Sequence, residues 1–195
     1  GQDLTSGDGN TFVGYSAGMN VTTAHSNTFI GKNSGKVCVA DAIQNTAVGI
    51  ETLMDLTSGD SNVAVGSWAL YNTTTGSANV AIGNSAGYLN TTGQGNVLIG
   101  SESLKSGTTV SYNIAIGQAL GKLIDAGGVA EAGDHNIAMG HYTLGLEFIS
   151  GSQNIAMGQY AGYEFISGSN NIILGYSTMR SGSGDNNIAI GEKAA

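Results

Sequence analysis

The chain has 195 residues, a net charge of −8 and only 10% charged side chains, against 41% hydrophobic residues, 32 glycines and no proline. Its six basic residues (Lys32, Lys36, Lys105, Lys122, Arg180 and Lys193) are too scattered for nucleic-acid phosphates, and no apolar run is long enough to span a bilayer. Nucleic-acid binding and membrane insertion are therefore not expected, and the single cysteine, Cys38, excludes an intrachain disulfide.

From residue 10 onward one phrase returns: an asparagine, three mostly apolar residues, then a glycine. Its anchors are Asn10, Asn27, Asn45, Asn62, Asn79, Asn96, Asn113, Asn136, Asn154, Asn171 and Asn187. They lie 17 or 18 residues apart, except for a step of 23 from Asn113 to Asn136 and one of 16 before Asn187. So short and regular a period predicts stacked coils rather than a globular domain. Residues 1–195 are read as one all-β unit, a parallel β-roll or β-solenoid of about eleven coils of ~17 residues.

In chain order, the residue after the anchor is Thr11, Thr28 and Thr46, then Val63, Val80 and Val97, then isoleucine from Ile114 to Ile188. The third position holds only Val, Ile, Met or Leu, and the second is alanine in seven of eleven repeats. Two bulky β-branched residues flanking a small one predict a short strand that ends at the glycine. A small residue recurs seven positions after the anchor, as at Ala17, Ser34, Thr52, Ala69 and Ala86, and predicts a second short strand in each coil. Phrases such as Thr57-Ser58-Gly59-Asp60-Ser61 and Thr91-Thr92-Gly93-Gln94-Gly95 supply turns. Coils stacked about 4.8 Å apart bring the anchors into a column, where side-chain amides bond to one another and to turn backbone. A coil this narrow encloses little volume. The alanine side of the strand is therefore expected to meet other copies, making a homotrimer, intertwined or side by side.

Phrases such as Asn79-Val80-Ala81-Ile82-Gly83-Asn84-Ser85-Ala86 and Asn187-Ile188-Ala189-Ile190-Gly191 resemble the head repeats of trimeric autotransporter adhesins. The longer phrase from Asn62 to Gly76 looks closer to repeats of phage tail fibres and bacterial fibre proteins. The resemblance implies a trimeric β-roll, adhesion to a host or target cell, and no catalytic residues. It also implies an extracellular setting, on a virion tail fibre or a bacterial surface. The initial Gly and the end just past a repeat's glycine suggest a segment of a longer fibre.

Candidate receptor contacts lie where the repeat breaks or aromatics gather. The long step carries Asp125, Glu131, Asp134 and His135, which are read as receptor contacts or as part of a tolerated insertion. Their spacing matches no metal-ligand motif, and neither metal nor cofactor is expected. The recurring Asp8, Asp60, Asp134 and Asp185, two residues before an anchor, suit turn capping better than calcium. Trp68, Tyr71, Tyr142, Tyr160 and Tyr163 offer flat rings for sugars, and Trp68, Tyr142 and Tyr160 share the sixth position of the repeat. The expected function is non-enzymatic attachment through surface glycans or another surface receptor, or the spacing of a distal recognition tip. The alternatives are a polysaccharide-cleaving solenoid of tailspike type and an ice-binding solenoid. Asp55, Glu102, Glu147 and Glu164 are too isolated for the first, and three threonines are too few for the second.

Overall fold

The computed structural model describes residues 3–38, 42–119, 133–145 and 151–194. The described chain is all-β with no helix, a parallel β-solenoid of about nine turns. The count is slightly below the eleven coils expected. Eleven strands bound only ten intervals, and the interval after Asn113 lies largely outside the described residues.

One sheet runs the length of the solenoid, through β1 (Thr11–Val13), β2 (Thr28–Ile30), β3 (Thr46–Val48), β4 (Val63–Val65), β5 (Val80–Ile82) and β6 (Val97–Ile99). It continues through β7 (Ile114–Ile116), β8 (Ile137–Met139), β9 (Ile155–Met157), β11 (Ile172–Leu174) and β13 (Ile188–Ile190). Every pair is parallel and in register, so Val80 lies opposite Val63 and Val97, and Ala81 opposite Ala64 and Leu98. Two further strands, β10 (Glu164–Ser167) and β12 (Ser181–Ser183), pair with each other in the last coils.

Asparagine sets this register. Asn79 is fully buried; its Nδ2 donates to the Asn62 Oδ1 at 3.1 Å and to the Gly93 carbonyl at 2.9 Å. Its own Oδ1 accepts the backbone N–H and the Nδ2 of Asn96, at 3.0 and 2.9 Å. Each amide thus joins three successive coils. The same bonds recur from Asn10 to Asn187, and among the described residues no buried side-chain N or O lacks a partner. The glycine ending each strand is required by space as well as by φ. Gly66 has φ +127°, and a Cβ there would stand 2.5 Å from the Gly83 carbonyl oxygen of the next coil.

Two expectations are corrected. The alanine side of the strand does not face outward: Ala47, Ala64, Ala81 and Ala156 have no exposed surface and form the inside of the coil. The bulky first and third positions point away from the core, leaving Val13, Ile30, Ile82, Met157, Ile188 and Ile190 among the exposed apolar residues. The reason is volume, since the narrow interior already receives side chains from the opposite wall.

That opposite wall is not a second strand. The segment after the glycine is a run of turns in which the sixth position has φ between 51 and 60° in every repeat, from Ser16 to Lys193, always on a residue other than glycine. The eighth position is also left-handed, at Gly18, Gly35, Leu53, Leu70, Gly87, Leu104, Leu144, Gly162 and Met179. This alternation sends successive N–H groups to opposite neighbours. The Trp68 N–H bonds to the Ile50 carbonyl of the preceding coil, and the Leu70 N–H to the Ala86 carbonyl of the following one. The wall therefore holds its neighbours as a strand would, without being extended.

Candidate functional site

The aromatic candidates fall into two groups on the turn wall, about four coils or ~19 Å apart. In the first, Trp68 is exposed and its Nε1 donates to the Glu51 carboxylate at 3.0 Å. That bond, with one from Asn33, holds the Glu51 carboxyl below its usual range. Tyr71 stacks on Tyr88 of the next coil, with ring centres 5.2 Å apart. Burial, with Asp55 and Glu51 nearby, pushes its phenol upward. These rings serve each other and their neighbours along the column.

The second group is larger. Tyr142 and Tyr160 occupy the sixth position of successive coils and stack nearly parallel, 5.7 Å apart at 4°. Tyr163 meets both edge-on, at 5.9 and 5.2 Å, and His141 packs against Tyr142 at 4.1 Å. Tyr176, from the following coil, stands at 80° to Tyr160 and is 46% exposed. Beside them Arg180 lies 5.6 Å above the Tyr163 ring, with its Nη2 3.4 Å from the Glu164 Oε1. Tyr160, Tyr163, Tyr176, Ser177 and Arg180 line an open pocket of about 330 Å³.

The sequence singled out Tyr142, Tyr160 and Tyr163 but not Ser177 or Arg180 as partners. The signal was present in the repeat register. Tyr163 and Arg180 both sit nine residues after their anchors, so one lies directly above the other.

The acidic candidates have other positions. Asp134 accepts the Ser111 N–H at 2.6 Å, just as Asp60 accepts the Ile43 N–H at 2.8 Å and Asp185 the Ser169 N–H at 2.7 Å. Each carboxylate closes the turn of the preceding coil. His135 is exposed and stacks on Tyr112 at 5.1 Å. Asp125 and Glu131 lie outside the described residues, as does most of the long step. Among the described residues no group of three or more His, Cys, Asp or Glu side chains could hold a metal ion.

The threonines of the turns are also committed. The Oγ1 atoms of Thr57, Thr74 and Thr91 donate to carbonyls of the next coil at 2.9–3.2 Å. Among the described residues no helix is long and apolar enough to cross a membrane. No protein-family model, curated protein or solved structure matches the chain.

Proposed function

We propose that this chain is a segment of a non-enzymatic, trimeric fibre or adhesin that attaches to a target cell surface through glycans. The observation that carries the proposal is the open cluster of Tyr142, Tyr160, Tyr163 and Tyr176 on one wall of a rigid rod. Tyrosine combines an apolar face, on which a pyranose ring stacks, with a hydroxyl that bonds sugar hydroxyls. A solenoid presents such a site without any closing motion, which suits adhesion better than turnover.

Trimerisation is supported by the outer face of the long sheet. Its first and third positions carry only Thr, Val, Ile, Met and Leu, in an uncharged strip on the order of 50 Å long and 10 Å wide. Apolar patches of that size mark association surfaces. Three copies with these strips facing a common axis shelter them from water and repeat each tyrosine site three times. Weak sugar contacts then gain from multivalency. The resemblance of the Asn-x-Ala-x-Gly phrase to fibre and adhesin repeats points the same way, towards an extracellular setting on a virion or bacterial surface.

The test is a glycan array probed with the whole chain, alongside sedimentation. Array binding that is lost on Tyr160→Ala but kept on Trp68→Ala supports attachment through the tyrosine cluster. A folded chain that binds no glycan removes that role and leaves a spacer.

A further inference from the structure

Arg180 is the only arginine in the chain, and it stands where four tyrosines crowd together. We infer that the pocket lined by Tyr160, Tyr163, Tyr176, Ser177 and Arg180 selects saccharides that carry a carboxylate, such as a sialic or uronic acid unit. This rests on the glycan attachment proposed above and names its ligand class.

Three observations lead there. The first is size: about 330 Å³ lies at the small end of ligand pockets and accommodates one or two sugar rings. The second is the arrangement of the rings. Tyr163 and Tyr176 meet Tyr160 at 83° and 80°, so the walls turn corners instead of forming one flat platform. A sugar ring stacked on one tyrosine meets the edge or hydroxyl of another.

The third is charge. A guanidinium has five N–H donors in a fixed fork, and among the described residues Arg180 has one ionic contact, Nη2 to the Glu164 Oε1 at 3.4 Å. That separation is long for a charge-assisted bond, and the Arg180 side chain is 58% exposed. Most of the fork is thus open to a planar, bidentate acceptor, and a carboxylate is the sugar substituent with that geometry. The cation already lying over Tyr163 also discourages a cationic ligand, since a second positive charge would be repelled.

Lys193 adds to this. It occupies the sixth position of the coil after Ser177, its N–H bonds to the Tyr176 carbonyl at 2.9 Å, and among the described residues its one ionic contact is Glu192 at 3.9 Å. Among the described residues Glu164 and Glu192 are the opposing charges, so an arriving carboxylate competes with Glu164 for Arg180.

The experiment compares binding of the whole chain to sialyllactose, lactose, trigalacturonic acid and maltotriose by calorimetry. Both acidic sugars are expected to bind about tenfold or more tighter than their neutral counterparts. Arg180→Gln, an exposed substitution, should erase that preference, so that acidic and neutral sugars bind alike. Glu164→Gln should strengthen acidic binding by releasing the guanidinium. Equal affinity for acidic and neutral sugars, unchanged by Arg180→Gln, overturns the selectivity and leaves glycan attachment standing. Binding of none of the four by a folded chain overturns the selectivity, and glycan attachment then depends on the array alone.

Discussion

At the scale of single residues, the asparagine column is the main source of specificity. A buried amide with all its hydrogen bonds made is stabilising, but one lost partner strands several others. Asn79→Ala removes both Nδ2 bonds and the acceptor for two donors of Asn96. The expected loss is about 2–4 kcal/mol in denaturant unfolding, against well under 1 kcal/mol for exposed Asn84→Ala. Cys38 belongs to the core and not to chemistry. It is buried, and burial with Asp60 nearby raises its thiol from 9.0 to about 12. The folded chain therefore keeps this proton between pH 9 and about 12, where the unfolded chain releases it. The stability Cys38 contributes is present below pH 9 and falls away as pH rises through that window. Unfolding curves at pH 8 and pH 10.5 should diverge more for the parent than for Cys38→Ala. A difference that is the same in both chains would place the alkaline sensitivity elsewhere, for example in the tyrosines.

At the scale of the coil, the packing rule is complementary volume between the second and eighth positions. Phe12 and Phe29 face Gly18 and Gly35, whereas Ala47, Ala64 and Ala138 face Leu53, Leu70 and Leu144. Ala81 with Gly87 and Ala156 with Gly162 depart from it, and there large side chains lean in from the neighbouring coils, Leu70 and Leu98 at the first and Leu144 and Ile173 at the second. Leu98 with Leu104 and Ile173 with Met179 are the matching coils in which both positions are large. A side chain at Gly35 would enter the Phe29 ring, so Gly35→Leu should destabilise by about 3 kcal/mol or more. Adding Phe29→Ala recreates the pairing of the next coil and should restore most of the loss. Two additive penalties in thermal unfolding would show that the positions do not share one cavity. The left-handed φ at the sixth position obeys a different logic. Trp68, Tyr142 and Tyr160 adopt it at a cost of roughly 1 kcal/mol each, offset by the coil-to-coil hydrogen bonds that the conformation permits. It also places their rings at one position of the repeat.

At the scale of the whole molecule, the two walls have opposite characters. The sheet wall is uncharged, apolar and regular, while the turn wall carries the aromatics, the arginine and most of the irregularity. One wall suits self-association and the other recognition. Ile82 and Val80 lie in the middle of the sheet strip and outside the coil core, so Ile82→Lys should leave circular dichroism unchanged while converting trimers to monomers in sedimentation. A parent chain that sediments as a monomer at micromolar concentration would end the trimer proposal.

Much of this was legible without coordinates, because a solenoid is nearly one-dimensional: each coil answers only to its neighbours. The period, the strand after every anchor and the all-β class are written in the spacing of Asn and Gly. The aspartate two residues before an anchor marks a turn cap, although the N–H it accepts belongs to the preceding coil. What the spacing did not reveal was direction. Alternation tells which residues share a face but not which face is inside, and here the interior was decided by Leu53, Leu70, Leu104 and Phe29 competing for the same narrow space. Nor did composition betray the left-handed sixth position of the turn wall, which holds residues such as Ser, Glu, Trp and Tyr where glycine would have been the warning. The pairing of Arg180 with Tyr163 was present in the repeat register, 17 residues apart, but its ring contact and the pocket beside it came from stacking. The sequence by itself determined the repeating coil, through local periodicity. Tertiary structure decided which wall is core, which is exposed and apolar, and which carries the pocket, because those depend on volumes shared between coils.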